Sequence, residues 1–281
     1  MSQARTYPAG VTSWIDVEHT DLDAAMAFYG GLLGWTFHDD VTPSGARVRY
    51  AIARLDGQDV AGLGGSSEPS SRPDRPAWNT YVATDDIAAT VAAVVSAGGQ
   101  VTGQPEPAGE GGIAATCADP AGVEFRLWQA GRRLGAQLTN APGTWNFSDL
   151  WAADPASSRQ FYQRVFGWEF ADLGFATMIR RPGYGDHLAA TSDPDIYERQ
   201  ASVNTPPGFA DAIGWLGPGP PDQEPSWHVT FTVVDRDQTA TRAEELGGRV
   251  VGEDDTEWTK TAEIVDPQGA AFTASQFSPP T

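Results

Sequence analysis

The stretch FYGGLLGWTF, residues 28–37, decides the fold of this chain because the sequence contains it twice. FYQRVFGWEF follows at residues 161–170, and its Phe, Tyr, Gly, Trp and Phe recur at one offset, 161 − 28 = 133. Each copy has the pattern of a helix end, a terminating glycine and an aromatic strand start. Three more landmarks recur in the same order: Trp78 with Trp227, Gly98-Gly99 with Gly247-Gly248, and Asp119-Pro120-Ala121-Gly122 with Asp266-Pro267-Gln268-Gly269. The chain is therefore a tandem duplication.

One insertion makes the second half longer than the first. Trp227 follows Trp78 at an offset of 149, so 149 − 133 = 16 extra residues lie between Trp168 and Trp227. We assign the insertion to residues 191–225, which are dense in proline, glycine and aromatic residues. An insertion in only one half predicts one working site, over which it would act as a lid.

Composition excludes several classes of function. The 281 residues include 18 basic and 37 acidic side chains, a net charge of −19 that disfavours nucleic acid and anionic membranes as partners. Cys117 is the single cysteine, so the chain has no intramolecular disulfide. The sequence contains neither a membrane-spanning apolar run nor the apolar core of a signal peptide, which predicts a cytoplasmic protein.

Local patterns predict four modules, each a strand, a helix and three more strands. In the first module, alternation over residues 11–17 predicts a strand, and Asp21 caps a helix that Gly34 ends. In the third, Pro155 occupies a favoured first helical position, and strands are expected at residues 176–180 and 187–190. The four helices are predicted at residues 22–32, 86–97, 154–166 and 236–246.

The modules form two pairs, which predicts two domains of α+β class. The first domain spans residues 1–131, the second spans residues 144–281, and residues 132–143 link them. A segment rich in Ser, Pro and Arg, residues 66–76, links the two modules of the first pair.

Four βαβββ modules in two pairs, with the Phe-Tyr…Gly-Trp signature and the Asp-Pro-x-Gly turn, resemble the vicinal oxygen chelate superfamily. This superfamily includes glyoxalase I, extradiol dioxygenases and bleomycin-resistance proteins, and the resemblance covers essentially the whole chain. It implies two glyoxalase-like domains, each an incomplete barrel-like cup. It does not imply one chemistry, because this fold hosts several.

The resemblance also implies where a metal would bind. In metal-dependent members, a His, Gln or Glu on the first strand of a module and a Glu on its last strand face into the cup. The matching positions here hold Trp14, Asn79, Phe147 and His228 on first strands, and Arg126 and Thr273 on last strands. A divalent metal needs three or four converging N, O or S donors, which this set does not supply. We therefore expect no metal and no other cofactor.

Strand alternation predicts the side chains that line the two cups. For the first cup they are Trp14, Asp16, Asn79, Tyr81, Glu124, Arg126 and Trp128. For the second cup they are Phe147, Asp149, Trp151, His228, Thr230, Lys260 and Thr273. Aromatic walls with a few polar groups are typical of small-molecule sites. The alternative is that these aromatic residues only fill space.

Three residues of the second cup are candidates for proton transfer: His228, Asp149 and Lys260. A carboxylate beside an imidazole would raise the pKa of His228 and make it a general base. The alternative is a histidine that only hydrogen-bonds its strand neighbours. Two other histidines, His19 and His38, flank the first helix and are expected to be exposed.

Three functions remain open from the sequence. The first is a metal-independent binding protein for an aromatic or hydrophobic, antibiotic-like molecule, as the bleomycin-resistance branch implies, which would give resistance by sequestration. The second is a metal-free enzyme of secondary metabolism, an isomerase, cyclase or oxygenating enzyme. The third, disfavoured by the residues above, is a metal-dependent glyoxalase or dioxygenase. The protein is expected to be a monomer or a homodimer.

Overall fold

The computed structural model describes residues 5–38, 48–66, 76–174, 176–203, 205–219 and 223–278. In its first half these residues form β1 (Thr12–His19), α1 (Leu22–Leu33), β2 (Thr36–His38), β3 (Val48–Leu55), β4 (Gln58–Ser66), β5 (Trp78–Ala83), α2 (Ile87–Ser96), β6 (Gln100–Pro107), β7 (Gly112–Ala118) and β8 (Glu124–Ala130). The order strand, helix, three strands occurs twice, as predicted.

The second half repeats this order with additional helices in its third module. It contains β9 (Trp145–Trp151), α3 (Pro155–Phe166), β10 (Glu169–Asp172), β11 (Thr177–Arg180), α4 (Tyr184–Ala190), α5 (Ile196–Ser202), β12 (Ala212–Gly217), β13 (Ser226–Thr232), α6 (Arg236–Glu245), β14 (Arg249–Asp255), β15 (Thr259–Val265) and β16 (Ala271–Phe277). The four-module α+β architecture is confirmed.

Two open eight-stranded sheets carry the modules. Their strand orders are β2-β3-β4-β1-β5-β8-β7-β6 and β10-β11-β12-β9-β13-β16-β15-β14. Within each module the first and last strands pair in parallel, whereas the hairpins are antiparallel. A parallel pair needs a crossover connection, and the helix after the first strand begins it. The open sheets agree with the two glyoxalase-like domains that the resemblance implies.

The helix ends follow the local signals in the sequence. Asp21 accepts a hydrogen bond from the Ala24 amide at the start of α1, and Gly34 ends the helix with φ 75°. Asp154 caps α3 in the same way, and Gly167 ends it with φ 68°. A residue with a Cβ atom is strained at these φ values, so glycine is the favoured residue after both helices.

Packing groups the modules differently from the sheets. One compact unit comprises Met1–Ser13, Thr80–Gly135 and Phe147–Trp227. It holds most of the second and third modules, the inner two in chain order, and is called the inner unit for that reason. The outer unit comprises Trp14–Asn79, Ala136–Asn146 and His228–Thr281, and holds most of the first and fourth. The predicted domains, residues 1–131 and 144–281, follow the two sheets, and as domain bounds they stay a prediction.

Aromatic landmarks of the sequence form the core of each unit. In the outer unit the buried Tyr29 ring stacks on Trp35 at 5.6 Å and meets the edge of Trp78 at 5.4 Å. In the inner unit Tyr162 stacks on Trp168 at 4.9 Å and meets Trp227 at 5.7 Å. Edge-to-face and stacked pairs at such distances add about 0.5–1.5 kcal/mol each beyond the apolar area that they bury.

The insertion differs from the prediction in position and conformation. Residues 187–190 were expected to form a strand but belong to the helix α4. The extra residues lie between β11 and β12, and the predicted insertion at residues 191–225 contains β12, the last strand of the third module. Tyr184, Leu188 and Ile196 of this helical segment are buried in the core of the inner unit. Periodicity failed here because a helix of seven residues is too short to be distinguished from a buried strand.

The predicted linker at residues 66–76 lies outside the described residues except at its ends. In the part of the chain that the structure describes, no helix is long and apolar enough to cross a membrane.

Candidate functional site

Each module has one sheet face that carries the core and packs against helices; we call the opposite side the helix-free face. In β1, Ile15 and Val17 are fully buried on the core side, so Trp14 and Asp16 lie on the helix-free face. The same alternation places the predicted site residues on the strands of the other modules.

A chain of hydrogen bonds occupies the helix-free face of the first module. The Trp14 indole donates to the Tyr50 hydroxyl at 3.1 Å, and that hydroxyl donates to Asp16 Oδ2 at 3.0 Å. Asn79 donates to the other oxygen, Asp16 Oδ1, at 2.8 Å. Asp16 is only 1% exposed, so these donors compensate for the loss of its hydration. The structure therefore brings Trp14, Asp16 and Asn79 together and adds Tyr50, which was not a predicted site residue.

Glycine at position 62 is what allows Tyr50 to reach Asp16. Gly62 lies opposite Asp16 in the β1–β4 pair, and a Cβ atom placed on it would lie 1.9 Å from the Tyr50 hydroxyl. Gly64, two residues further on the same face, pairs with Tyr50 itself. Two glycines at alternate positions of a strand are the signal that could have indicated a side chain crossing that strand.

The second module presents an arginine stacked on a tyrosine. Arg126 lies beside Tyr81 in the β5–β8 pair, donates to its hydroxyl at 2.8 Å, and has its guanidinium carbon 5.5 Å from the ring centroid. Trp128 meets the edge of the Tyr81 ring at 6.3 Å. Glu124, at the start of the same strand, accepts a hydrogen bond from Thr102 at 3.0 Å. Arg126 thus supplies hydrogen-bond donors where the resemblance implies a metal ligand.

The third module presents a cluster of half-buried aromatic side chains. Phe147 on β9 lies 6.2 Å from both Phe209 and Trp215, in edge-to-face contacts with interplanar angles of 76° and 78°. All three rings are half-buried. Asp149 and Trp151 continue the same face of β9, and Trp151 packs beside Gly219. Phe209 and Trp215 come from the segment predicted as an insertion and were not among the predicted site residues.

In the fourth module His228 pairs with a hydroxyl group. His228 Nε2 lies 2.8 Å from Thr273 Oγ1, and Thr230 lies beside Thr273 in the β13–β16 pair. Burial lowers the pKa of His228 from 6.5 to about 4, so the imidazole is uncharged at neutral pH. The predicted rise in its pKa is therefore wrong, because removal from water outweighs other effects on the ring. Asp149, its predicted partner, belongs to the inner unit, whereas His228 belongs to the outer unit.

The structure does not bring Lys260 together with His228. Lys260 lies opposite Gln276 in the β15–β16 pair, whereas Thr273 lies opposite Glu263. The buried residues Ala262 and Ile264 share the Lys260 face of β15, so Lys260 lies on the core side of its strand and Glu263 on the helix-free face. Lys260 fails as a cup residue because it lies one position off the alternation that places Glu263 beside Thr273.

The residues at the implied metal positions do not fit a metal ion. Trp14 and Arg126 offer only N–H donors there, Asn79 is hydrogen-bonded to Asp16, and Thr273 offers a neutral hydroxyl beside His228. Among the described residues, no three His, Cys, Asp or Glu side chains form a cluster able to hold a metal. One imidazole and one hydroxyl fall short of the three or four donors that a divalent ion needs.

One histidine outside these faces is placed differently from its prediction. His19 was expected to be exposed but is 1% exposed, and its Nε2 lies 2.6 Å from Asp266 Oδ2. His38 is exposed, as predicted. His19 falls on the core face of β1 because it continues the alternation of Ile15 and Val17. The strand extends to His19, beyond the predicted range of residues 11–17.

Sequence comparison agrees with this architecture. The family model of the Glyoxalase/Bleomycin resistance protein/Dioxygenase superfamily matches residues 13–127, and that of the Glyoxalase-like domain matches residues 145–275. The chain belongs to the glyoxalase/bleomycin resistance protein/dioxygenase superfamily. CFP32 of Mycobacterium tuberculosis, a proposed glyoxylase by name, is 33% identical over 283 residues, 99% of each chain. The anthracycline biosynthesis protein DnrV of Streptomyces peucetius is 32% identical over 96% of this chain and 94% of its own.

Solved structures share the fold at low sequence identity. The Mn(II)-bound glyoxalase from Novosphingobium aromaticivorans superposes with a TM-score of 0.60 at 17% identity, covering 98% of this chain and 83% of that chain. The 2,3-dioxygenase LapB from Pseudomonas sp. KL28 has a TM-score of 0.60 at 13% identity, covering 97% and 93%. At these identities the likeness concerns the fold alone.

Proposed function

We propose that this protein is a metal-independent binding protein for an aromatic or hydrophobic small molecule, and that it confers resistance by sequestering an antibiotic-like ligand. The observation that carries the proposal is what occupies the implied metal positions. Trp14, Asn79, Arg126 and Thr273 present hydrogen-bond donors and a neutral hydroxyl, which suit a polar organic group better than a cation.

The aromatic side chains support the class of ligand. Phe147, Phe209, Trp215 and Trp151 are all half-buried, and therefore retain surface that a planar molecule can cover. Fully burying an aromatic side chain releases about 1.5–3 kcal/mol relative to leaving it exposed. DnrV carries a name from anthracycline biosynthesis, which makes an anthracycline the first ligand to test.

A metal-free enzyme of secondary metabolism is the second candidate, supported by the biosynthetic names of DnrV and of DauV from Streptomyces sp. strain C5. It would use His228 or Asp149 for proton transfer. The pKa of about 4 for His228 argues against this, because a general base works best when its pKa is near the operating pH. If the chain is nevertheless an enzyme of this kind, His228→Ala should lower turnover by about a hundredfold or more while substrate still binds.

Titration with an anthracycline distinguishes the candidates. The protein, as purified and after treatment with a chelator, is titrated with the drug while the intrinsic drug fluorescence is followed. The recovered drug is then analysed by chromatography and mass spectrometry. Equal binding by both preparations, with the drug recovered unaltered, is expected. Conversion of the drug would favour the enzyme, and binding that disappears with the chelator and returns with a metal would overturn the proposal. Sequestration further predicts that expression raises the drug concentration that inhibits a sensitive host.

A further inference from the structure

The two halves differ at one strand position that faces the two equivalent aspartates. Asp16 and Asp149 are related by the repeat offset of 133, and each lies on the helix-free face of the first strand of its half. In the first module Asp16 pairs with Gly62 of the neighbouring strand. In the third module the same register places Trp215 opposite Asp149, since Leu216 pairs with Leu150.

A second exchange compensates for the first. Tyr50 pairs with Gly64 in the first module, and its equivalent in the third module, by register from Thr177 and Leu216, is Ala176. In the first module, therefore, Tyr50 reaches across Gly62 to donate its hydrogen bond to Asp16. In the third, a small residue and Trp215 replace the tyrosine and the glycine. In the first module the Tyr50 side chain thus fills the space beside Asp16, and its hydroxyl group donates a hydrogen bond to one carboxylate oxygen.

The inserted segment adds a third ring to the wall of the third module. Phe209 lies 6.2 Å from Phe147 and 6.3 Å from Trp215. Its neighbour Ala210 is buried in the core of the inner unit, and Asp211 accepts a hydrogen bond from the Gly185 amide at 2.8 Å. These contacts hold Phe209 in place, whereas the corresponding connection of the first module is the short turn at Asp56-Gly57. A rigid, half-buried wall loses little entropy when a ligand binds.

We propose that Phe147, Phe209 and Trp215 form a binding wall for a planar aromatic molecule whose hydroxyl or amino groups donate hydrogen bonds to Asp149. This rests on the proposed function and assigns its binding site to the third module. Flat rings pack against such a wall by stacking and edge contacts. An ionised carboxylate has about four acceptor sites, so Asp149 can accept from a ligand while it keeps its existing interactions. The same charge disfavours anionic ligands, which sets the ligand class as neutral or cationic aromatic donors.

A matched pair of probes separates the wall from the carboxylate. Dihydroxynaphthalene carries two donors, and dimethoxynaphthalene of the same substitution pattern has the same rings without them. Each is titrated into the full chain at a mildly acidic pH that keeps the phenols protonated, and binding is followed by quenching of tryptophan fluorescence and by calorimetry. The wild type is expected to bind one dihydroxynaphthalene per chain, about tenfold more tightly than the dimethoxy compound.

Substitutions then test each element of the site. Asp149→Asn should remove the preference for the dihydroxy compound, and Trp215→Leu should weaken both probes by about tenfold through lost stacking. Phe209→Leu tests the same wall from outside the strand, in case Trp215→Leu impairs folding. The matched controls are Asp172→Asn, an exposed aspartate of the same unit, and Trp258→Leu, which stacks on the exposed Phe277 at 6.4 Å.

The outcomes distinguish this inference from the proposed function. Weakened binding in Trp215→Leu and Phe209→Leu, with lost discrimination in Asp149→Asn and unchanged controls, would support the site. Wild-type binding that survives all three substitutions would overturn the site while the proposed function stands. A wild type that binds neither of the two naphthalenes and no anthracycline would overturn both the site and the proposed function.

Discussion

Tyr29 donates a hydrogen bond of 2.9 Å to Asp266, a residue 237 positions further along the chain. Tyr29 belongs to the repeated Phe-Tyr motif of the first half, and Asp266 to the Asp-Pro-x-Gly turn of the second. The counterparts, Tyr162 and Asp119, interact in the inner unit with the halves exchanged. The Tyr of each repeated Phe-Tyr motif thus has its partner in the Asp-Pro-x-Gly turn of the other half of the chain, and these contacts join the first module with the fourth and the second with the third.

The two aspartates differ in how many donors reach them. Asp266 accepts from Tyr29, from His19 and from three backbone amides of its own turn. Asp119 accepts from the amides of Ala121 and Val123 and interacts with Tyr162, and the position equivalent to His19 holds Ala152. Tyr29 and His19 both donate to Asp266 Oδ2, so loss of the Tyr29 hydroxyl group should lower the free energy of unfolding of the protein.

Tyr29→Phe is expected to destabilise the protein by about 1–3 kcal/mol, because it leaves a buried carboxylate oxygen with one donor fewer. Equilibrium unfolding in urea measures the change. The control is Tyr197→Phe, since Tyr197 is 49% exposed and bonds to Asp186 at the surface. A Tyr29→Phe protein as stable as this control would mean that the hydrogen bond contributes nothing measurable.

The two aspartates should also respond to acid in opposite directions. Burial raises the pKa of Asp266, but hydrogen bonds from His19, Ala270 and Tyr29 outweigh it, and the net pKa lies below 3.8. Its contribution to stability is present above 3.8 and is lost as pH falls through the folded pKa. The stability advantage of wild type over Asp266→Asn should therefore shrink in this range, in urea unfolding at a series of pH values.

Asp119 provides the comparison of opposite sign. Burial raises its pKa above 3.8, against the hydrogen bonds from the amides of its turn. The folded state then takes up the proton first, so wild type should gain stability relative to Asp119→Asn as pH falls towards 3.8. Parallel behaviour of both variants would contradict the assigned shifts.

His228 should titrate near its lowered pKa of about 4 rather than at 6.5, because burial disfavours the imidazolium ion. The unfolded chain takes up this proton first, so the stability contribution of His228 is complete above 6.5 and is lost as pH falls to about 4. NMR of the labelled imidazole over a series of pH values measures the midpoint. A His228 midpoint at or above 6.5 would restore it as a general base.

Gly62→Ala should destabilise the outer unit by about 1–3 kcal/mol, because the new methyl group overlaps the Tyr50 hydroxyl and forces it away from Asp16. The same substitution in a Tyr50→Ala background should cost much less, because alanine at position 50 has no hydroxyl group near Gly62. The equivalent position of the third module holds Ala176. A double-mutant cycle by chemical unfolding measures the coupling. Equal costs in both backgrounds would show that Tyr50 is not the obstacle.

Trp14 and Trp151 should separate into a structural and a binding role. Trp14 is 5% exposed and hydrogen-bonded to Tyr50, so Trp14→Ala should lower the free energy of unfolding by about 3–5 kcal/mol. Trp151 is half-buried, so Trp151→Ala should weaken anthracycline binding by about 1 kcal/mol or more with a smaller effect on stability. Thermal unfolding and drug titration of both variants test this, and the reverse order of effects would contradict it.

Much of the fold was predictable from neighbouring residues. The helices at α1 and α3 carry their capping aspartates and terminating glycines within the stretch that they cap, so the signal is local. The order of modules followed from repetition, which needs no knowledge of contacts. The positions of Trp14, Asp16, Phe147 and His228 on helix-free faces followed from strand alternation.

By itself, the sequence determined that this protein is a duplicated chain of four βαβββ modules, because caps, glycine stops and alternation act over a few residues. Only the tertiary structure decided which side chains meet. Tyr50 reaches Asp16 across Gly62, His19 is buried against Asp266, and Phe209 joins Phe147 from an inserted segment. Such contacts join residues tens to hundreds of positions apart, so no local pattern predicts them. The charge of His228 also depends on the tertiary structure, because burial among strands that are distant in the sequence lowers its pKa.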